Sequence, residues 1–179
     1  IIISKINKDE LAIILEKIQL SANAAHRKFS SIQIIGVTKT HPFEAIQSAY
    51  DNNILIVGEN KVQEAYDKLL NRNIPTNMEI HLIGHLQSNK INKAIQLFDV
   101  IQTIDSLKLA HKLNTACQKN NITQRVYIQI NSGNDPLKFG FSIDEALQAA
   151  QQINTLSNLC LEGVMMIPPF LNIDDSYRN

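Results

Sequence analysis

The sequence predicts an α/β fold built on a parallel sheet, in which short strands alternate with helices. Six short apolar runs are rich in β-branched residues or bounded by Gly, Asn or Pro, and amphipathic stretches separate them at intervals of about 20 to 35 residues. Polar residues also recur on one face of several runs, and this alternation helps to distinguish a closed barrel from an open sheet. Strands that are joined by helical crossovers of this length lie parallel in one sheet.

The predicted elements begin with an amphipathic helix at about residues 8–29, which precedes the first strand. Pro42 suits the first turn of a second helix, where its missing N–H costs no hydrogen bond. Asn60 with Gln63, and Ser142 with Glu145, have the spacing of capping boxes at the start of two later helices. The six strands are predicted in the segments SIQIIGVTK, ILIVGEN, MEIHLIGH, FDVIQTID, RVYIQIN and CLEGVMMIP.

Alternation within the strands favours a barrel over an open, doubly wound sheet. In VYIQIN the residues Tyr127, Gln129 and Asn131 share one face, opposite a face of Val and Ile. A barrel that packs its outside on helices and carries polar groups in its lumen gives such strands, whereas the strands of an open parallel sheet are apolar on both faces. No Gly-x-Gly-x-x-Gly follows the first strand, so a dinucleotide-binding sheet lacks its best signal.

Length and composition indicate one domain over residues 1–179, with 17 basic and 17 acidic side chains and a formal net charge of zero. This balance gives no electrostatic reason to expect nucleic acid or a membrane as a partner. No apolar run approaches the roughly 20 residues of a membrane span. Cys117 and Cys160 lack metal-ligand spacing, so we expect two reduced thiols in a cytoplasmic protein and no metal.

Lys39 is the one lysine that directly abuts a predicted strand end, in the segment VTKTHP. In a barrel of this kind, groups at the carboxyl ends of the strands form the functional site. Desolvation lowers the pKa of a lysine, and the neutral amine can then attack a carbonyl carbon and form a Schiff base. The alternative is that Lys39 extends from the strand end into a salt bridge with Glu59 or Asp105.

Six segments together resemble the pyridoxal phosphate homeostasis protein family, whose single-domain members are similar to the N-terminal barrel of bacterial alanine racemase. The segments are VTKTHP, VGENKVQEAYDKL, EIHLIGHLQSNK, VIQTIDSLKLAHKLN, VYIQINSGNDPLKFGF and LEGVMMIPP, and they follow in order from about Ser31 to Pro169. The resemblance implies a parallel (β/α) TIM-type barrel of the alanine racemase N-terminal type. About six of its eight βα units are expected here, so the barrel is incomplete at the C-terminus.

The resemblance also implies a site for pyridoxal 5'-phosphate (PLP). Lys39 corresponds to the lysine that holds PLP as a Schiff base, and Asn60 to an asparagine near the cofactor ring. His81 either touches the cofactor pocket or is a hydrogen-bonded histidine of the lumen. Met165 stands where the family presents an apolar side chain near the ring, although two adjacent methionines are more often core packing. His85 stands where many members have proline, which argues against a catalytic role.

The function that the resemblance implies is PLP binding and intracellular PLP homeostasis, with delivery of the cofactor to apo-PLP enzymes and no catalytic turnover. The alternative is a PLP-dependent, amino-acid racemase-like enzyme. Such an enzyme needs a second acid or base opposite the lysine, and His81 and Tyr127 are the candidates. A barrel aldolase that forms its Schiff base with a sugar or keto substrate, and an inert fragment, are the remaining alternatives.

The C-terminus departs from the family pattern. Members continue for roughly another quarter of their length, through the seventh and eighth strands and the groups that hold the phosphate. We therefore expect this chain to be a fragment of a longer member, and to bind PLP weakly or not at all because charge-assisted hydrogen bonds to the phosphate are missing.

Overall fold

The structure is a computed structural model, and it describes residues 5–133 and 135–168. The chain divides into two compact units, one up to His81 and the other from Leu82 onward. The α-helices are α1 (Lys8–Ala24), α2 (Phe43–Asp51), α3 (Val62–Leu69), α4 (Ile91–Ala94), α5 (Leu107–Lys119) and α6 (Ile143–Ile153). The strands are β1 (Ile35–Val37), β2 (Ile56–Glu59), β3 (Glu79–Leu82), β4 (Val100–Ile104), β5 (Gln124–Ile130) and β6 (Leu159–Met166), and short 3₁₀ turns lie at Phe29–Ser31 and Ser88–Lys90.

Helix α1 begins where the sequence predicts and ends earlier. The side chain of Asn7 caps its first turn by accepting hydrogen bonds from the backbone N–H groups of Asp9 and Glu10. The helix ends at Ala24, because His26 adopts a left-handed backbone with φ 52°. The N–H of Arg27 then donates to the carbonyl of Ala22 at 2.8 Å, which closes the last turn. The predicted end at about residue 29 is therefore five residues too late.

The first unit carries β1, β2 and β3 in chain order, with helices between them. Strands β1 and β2 are parallel, and Ile35, Gly36 and Val37 lie opposite Ile56, Val57 and Gly58. All four residues of β2 are buried, as expected for a strand that is covered on both faces. The core includes Ile46, Val57 and Ala65, and burial of each large aliphatic side chain stabilises the fold by about 1.5–3 kcal/mol.

The second unit carries β4, β5 and β6 in chain order, again parallel. Strand β5 alternates as predicted, because Val126 and Ile128 are buried while Tyr127 and Gln129 are partly exposed. Helix α6 begins at the predicted capping box, in which Ser142 and Glu145 bond to each other's backbone N–H groups. Ile101, Leu113, Val126 and Ile153 are fully buried and form much of the core of this unit.

The two cysteines are free, as predicted, with Cys117 buried and Cys160 exposed. Burial in α5 raises the pKa of the Cys117 thiol, because desolvation disfavours the thiolate. Within residues 5–133 and 135–168, no helix is both long enough and apolar enough to cross a membrane.

Candidate functional site

Lys39 lies two residues beyond β1, at the carboxyl end of the strand. The N–H of Thr38 donates to the carbonyl of Gly58 at 3.1 Å, which continues the hydrogen bonding of the β1–β2 ladder by one residue. Lys39 lies in the turn that follows, which the hydrogen bond from the His41 N–H to the Thr38 carbonyl closes at 3.1 Å. Val37 is 50% exposed and Lys39 is exposed, whereas Thr38 is buried. The lysine is therefore presented on an open face at the end of the strand.

The side chain of Lys39 makes no hydrogen bond or ion pair within the described part of the chain. Both predicted salt-bridge partners are engaged by other residues. Glu59 pairs with Lys68, whose Nζ lies 2.6 Å from Glu59 Oε1, and Asp105 pairs with His85, whose Nδ1 lies 2.8 Å from Asp105 Oδ2. The salt-bridge alternative for Lys39 is therefore wrong for both carboxylates that were considered.

Three side chains of β2 and α3 contact the residues on either side of Lys39, and we call Glu59, Glu64 and Lys68 the anchoring network. Thr38 Oγ1 donates to Glu59 Oε1 at 2.7 Å, and Lys68 Nζ donates to the carbonyl of Thr38 at 2.7 Å. The N–H of Thr40 donates to Glu64 Oε1. The side chain of Glu59 is 0% exposed and that of Lys68 is 6% exposed, so this ion pair is buried.

Thr40 has a left-handed backbone, with φ 64°. A β-branched residue rarely adopts this conformation, because its branched Cβ crowds the neighbouring carbonyl. Strained positions of this kind cost roughly 1–3 kcal/mol and persist only where surrounding contacts hold them. Here the hydrogen bond from the Thr40 N–H to Glu64 is such a contact, directly after Lys39.

Asn60 does not cap helix α3, so that prediction is wrong. The N-cap of α3 is Lys61, and its side chain makes no capping hydrogen bond. The helix therefore begins one residue later than the Asn60–Gln63 spacing indicates. The side-chain amide of Asn60 makes no hydrogen bond with any other described residue, and the residue is partly exposed. Its polar atoms are consequently available to a ligand.

Lys39 and Asn60 follow the carboxyl ends of two paired strands. The β1–β2 pairing ends with Val37 opposite Gly58, and Lys39 and Asn60 come two residues after these positions. Lys39 lies in a turn and Asn60 directly follows β2. Neither side chain makes a hydrogen bond among the described residues, so both are available to a ligand at this end of the two strands.

His81 lies in β3 and is buried, with 2% of its surface exposed. Its Nε2 lies 2.9 Å from Oε2 of Glu79, two residues earlier on the same strand. The two side chains share one face, as the sequence predicts from the alternation in EIHLIGH. His81 is therefore a hydrogen-bonded buried histidine, and its contact with a cofactor stays a prediction.

Met165 lies near the carboxyl end of β6 in the second unit, opposite Gln129 of β5. It is partly exposed, and its neighbour Met166 is 55% exposed. The two methionines thus lie on opposite faces of the strand, and neither is buried in the core. The prediction that Met165 lies near a cofactor ring stays a prediction.

His85 is held by two contacts within the second unit. Its ring stacks on Phe139 with 3.8 Å between ring centroids and an interplanar angle of 12°, while its Nδ1 contacts Asp105. The adjacent residue Ser106 caps helix α5, since its hydroxyl accepts the hydrogen bond from the N–H of Leu109. Asp105 instead orients the imidazole of His85.

Sequence reasoning missed Glu64 and Lys68. Their i, i+4 spacing in the segment VQEAYDK was a visible signal for an ion pair on one helix face, and their charged atoms lie 3.7 Å apart. That signal normally indicates an exposed pair of small energetic value. Nothing in the spacing indicates that Lys68 is buried against Glu59 or that its ammonium reaches the carbonyl of Thr38.

Within the described residues, no group of three or more His, Cys, Asp or Glu side chains is arranged to hold a metal ion.

The sequence is similar to one family model and to proteins of two bacteria. Residues 13–179 match the family model described as alanine racemase, N-terminal domain. The pyridoxal phosphate homeostasis protein of Haemophilus influenzae is 38% identical over 159 residues, which cover 88% of this chain and 67% of that protein. The protein of the same name from Pasteurella multocida is 39% identical over 164 residues, covering 90% of this chain and 70% of the relative.

The fold is also similar to those of solved structures. PipY of Synechococcus elongatus PCC7942 with PLP bound has a TM-score of 0.70 at 31% identity, covering 89% of this chain and 72% of PipY. Alanine racemase of Clostridium difficile has a TM-score of 0.69 at 21% identity, covering 90% of this chain and 41% of the racemase. The second likeness shows the fold alone. Together with the family model, these structures confirm the predicted α/β fold of the alanine racemase N-terminal type.

Proposed function

The chain belongs to the pyridoxal phosphate homeostasis protein family, and we propose that it binds PLP as a Schiff base on Lys39 and takes part in intracellular PLP homeostasis. One observation carries the assignment to Lys39. Its ammonium group, at the carboxyl end of β1, has no ion pair or hydrogen bond within the described residues. Lys68, by contrast, is held in a buried ion pair with Glu59.

The chemistry needs a lysine at this position. The neutral ε-amine attacks the aldehyde carbon of the cofactor, a C=N bond forms, and the aldehyde oxygen leaves as water with the two amine hydrogens. An arginine cannot replace it, because its guanidinium stays protonated. Among the described residues no carboxylate contacts Lys39, so its side chain can turn toward a bound cofactor without breaking an ion pair.

The other site residues fit the same cofactor. The amide of Asn60 can donate to an oxygen of the cofactor or accept from a donor, and it directly follows β2, the strand that pairs with β1. We propose that Asn60 orients the ring relative to the amine. His81 and Met165 are proposed as further contacts of the cofactor, His81 through its face of β3 and Met165 through its thioether.

A Schiff base on Lys39 would exchange with an incoming amine, since the new amine replaces the lysine at the same carbon. This exchange supports delivery of PLP to the lysine of an apo-PLP enzyme, and we propose such enzymes as partners. We also propose a cytoplasmic location, which suits the two free cysteines. The likeness to alanine racemase is at 21% identity and supports the fold alone, so racemase activity is not part of the proposal.

The test is to locate the adduct. We would add PLP to the purified chain, record the visible absorbance of the protein-bound imine, reduce it with borohydride and map the modified peptide. We expect modification at Lys39, loss of the imine signal in Lys39→Ala, and retention of the signal in the matched variant Lys61→Ala, which removes an exposed lysine after the adjacent strand. Equal spectra from wild type and Lys39→Ala would sink the assignment.

A further inference from the structure

The residues on both sides of Lys39 are held by side chains from β2 and α3. We propose that Glu64, supported by the buried Glu59–Lys68 pair, is a positioning residue that shapes the backbone at residues 38–40 and so presents the amine of Lys39. This inference rests on the proposed function, because it concerns the same lysine. The anchoring network would then position Lys39 in addition to stabilising the fold.

On the N-terminal side of Lys39, Thr38 is held through both its side chain and its backbone. Its hydroxyl donates to Glu59 Oε1, and its carbonyl accepts from Lys68 Nζ, each at 2.7 Å. Both partners are buried, so water does not compete well for these hydrogen bonds. The backbone entering Lys39 is therefore fixed from two directions.

Lys68 suits this task because an ammonium group has three N–H donors. Its Nζ lies 2.7 Å from the Thr38 carbonyl, 2.6 Å from Glu59 Oε1 and 3.7 Å from Glu64 Oε1. The one cation thus links the carboxylate that holds Thr38 to the carboxylate that holds Thr40. The contacts at 2.6 and 2.7 Å are charge-assisted hydrogen bonds, which are roughly twice as strong as neutral ones, whereas the contact with Glu64 is an ion pair.

On the C-terminal side of Lys39, the N–H of Thr40 donates to Glu64 Oε1. Thr40 is in a left-handed conformation that its branched side chain disfavours. The hydrogen bond from the His41 N–H to the Thr38 carbonyl closes this turn at 3.1 Å, and the contact with Glu64 adds a second restraint on Thr40 itself. Without Glu64, the backbone is expected to relax toward a right-handed or extended conformation. The direction in which Lys39 projects would change with it, because the two residues share a peptide bond.

A fixed backbone matters for capture of an aldehyde because the geometry is set before the cofactor arrives. Ordering a loop on binding costs free energy, and a loop that is already ordered avoids that cost. The amine of Lys39 remains present when the network is broken. We therefore expect slower imine formation with the same final adduct, rather than loss of the adduct.

The experiment compares Glu64→Ala with Glu64→Gln. Glutamine keeps an acceptor oxygen for the Thr40 N–H, whereas alanine removes it. In the cofactor-free chain, Glu64→Ala should speed hydrogen exchange at the Thr40 amide about tenfold, and it should slow imine formation with PLP by about the same factor, as loss of one charge-assisted hydrogen bond implies. Glu64→Gln should stay within about threefold of wild type in both measurements, since the acceptor is retained.

The matched control is Asp67→Ala, which removes a carboxylate from the same helix. Asp67 accepts a hydrogen bond from Gln63 on the outer face of α3 and is exposed. It should leave both the Thr40 exchange rate and the rate of imine formation unchanged. A loss of rate in Asp67→Ala equal to that in Glu64→Ala would overturn the proposal, because a general loss of helix stability would then explain both.

A second background tests the link through Thr40. Glycine adopts the left-handed conformation without steric cost, so Thr40→Gly removes most of the need for the contact with Glu64. Glu64→Ala should slow imine formation much less in the Thr40→Gly background than in wild type. A full effect in both backgrounds would overturn the proposal. If Lys39→Ala still formed the adduct, the proposed function would fail instead, while the Thr40 amide exchange would still report on the network without any cofactor.

Discussion

Lys39 and Lys68 are the same residue type in the same unit, but they differ in burial and in the contacts of their side chains. Lys68 is buried, pairs with Glu59 at 2.6 Å and donates to the Thr38 carbonyl. Lys39 is exposed at the end of β1, with no hydrogen bond or ion pair among the described residues. The ammonium of Lys68 is held by neighbours that stabilise its charge, whereas the side chain of Lys39 is free of such contacts among the described residues.

This difference separates a lysine that the fold holds in place from one that is available to a ligand, as we propose for Lys39. The ammonium of Lys68 is occupied by Glu59 and by the Thr38 carbonyl, so its nitrogen cannot reach a ligand without breaking these contacts. The unpaired lysine depends on its neighbours only for position. The same contrast recurs between two predicted capping residues, since Ser142 is used by helix α6 and Asn60 is not used by α3.

The largest expected effect distinguishes the two lysines by stability. Lys68→Met should lower the free energy of unfolding by about 3–5 kcal/mol, because it leaves the buried carboxylate of Glu59 without its charge partner. Lys39→Met should change it by no more than about 0.5 kcal/mol, as for an exposed side chain without partners. Urea unfolding of both variants measures the two values. Equal losses would remove the distinction between them.

The two predicted caps should differ by a smaller amount. Ser142→Ala should cost about 1 kcal/mol, because the N–H of Glu145 loses its side-chain acceptor. Asn60→Ala should stay within about 0.5 kcal/mol, since no hydrogen bond of the described structure is lost. Urea unfolding again provides the values, and the Asn60→Ala chain should in addition bind PLP more weakly. A loss of 1 kcal/mol or more in Asn60→Ala would show that this amide supports the fold after all.

The smallest expected effect is a pH dependence at the second cap. Hydrogen bonds from the hydroxyl and the backbone N–H of Ser142 hold the pKa of Glu145 below its usual value of 4.5. A lowered pKa in the folded state means that the carboxylate contributes stability above the unfolded pKa. That contribution is lost as pH falls through the folded pKa. Wild type should therefore be more stable than Glu145→Gln at neutral pH, with a difference that shrinks on acidification below 4.5.

Thermal unfolding across this pH range measures the effect, and Ser142→Ala supplies the comparison. The hydroxyl of Ser142 is the main cause of the shift, so Glu145→Gln should show a weaker pH dependence when it is made in the Ser142→Ala background. An undiminished pH dependence there would assign the effect to some other partner of Glu145.

Much of the fold was predictable from local patterns. The six strands, the parallel order and the start of α1 follow from apolar periodicity and cap residues, which act within a few positions along the chain. The position of Lys39 at a strand end was predictable for the same reason. The end of α1 was not, since the left-handed turn at His26 is not encoded by a glycine or an asparagine.

The errors at the site concern partners. Asn60 was predicted as a cap from its spacing with Gln63, but the N-cap of α3 is Lys61. The carboxylates of Glu59 and Asp105 were considered for Lys39, yet they bind Lys68 and His85. Spacing along the chain shows which residues could contact each other, but it allows several partners for each charged group. It does not show which of these contacts forms.

The sequence by itself determined the kind and order of elements, the family to which the chain belongs and the lysine at the end of the first strand. These depend on residue type and short-range periodicity, which are present before the chain folds. Only the tertiary structure decided which lysine is paired. Ion pairs and hydrogen bonds are selected by distance and burial in space, and the sequence separation of Thr38 from Glu59 and Lys68 carries no such information.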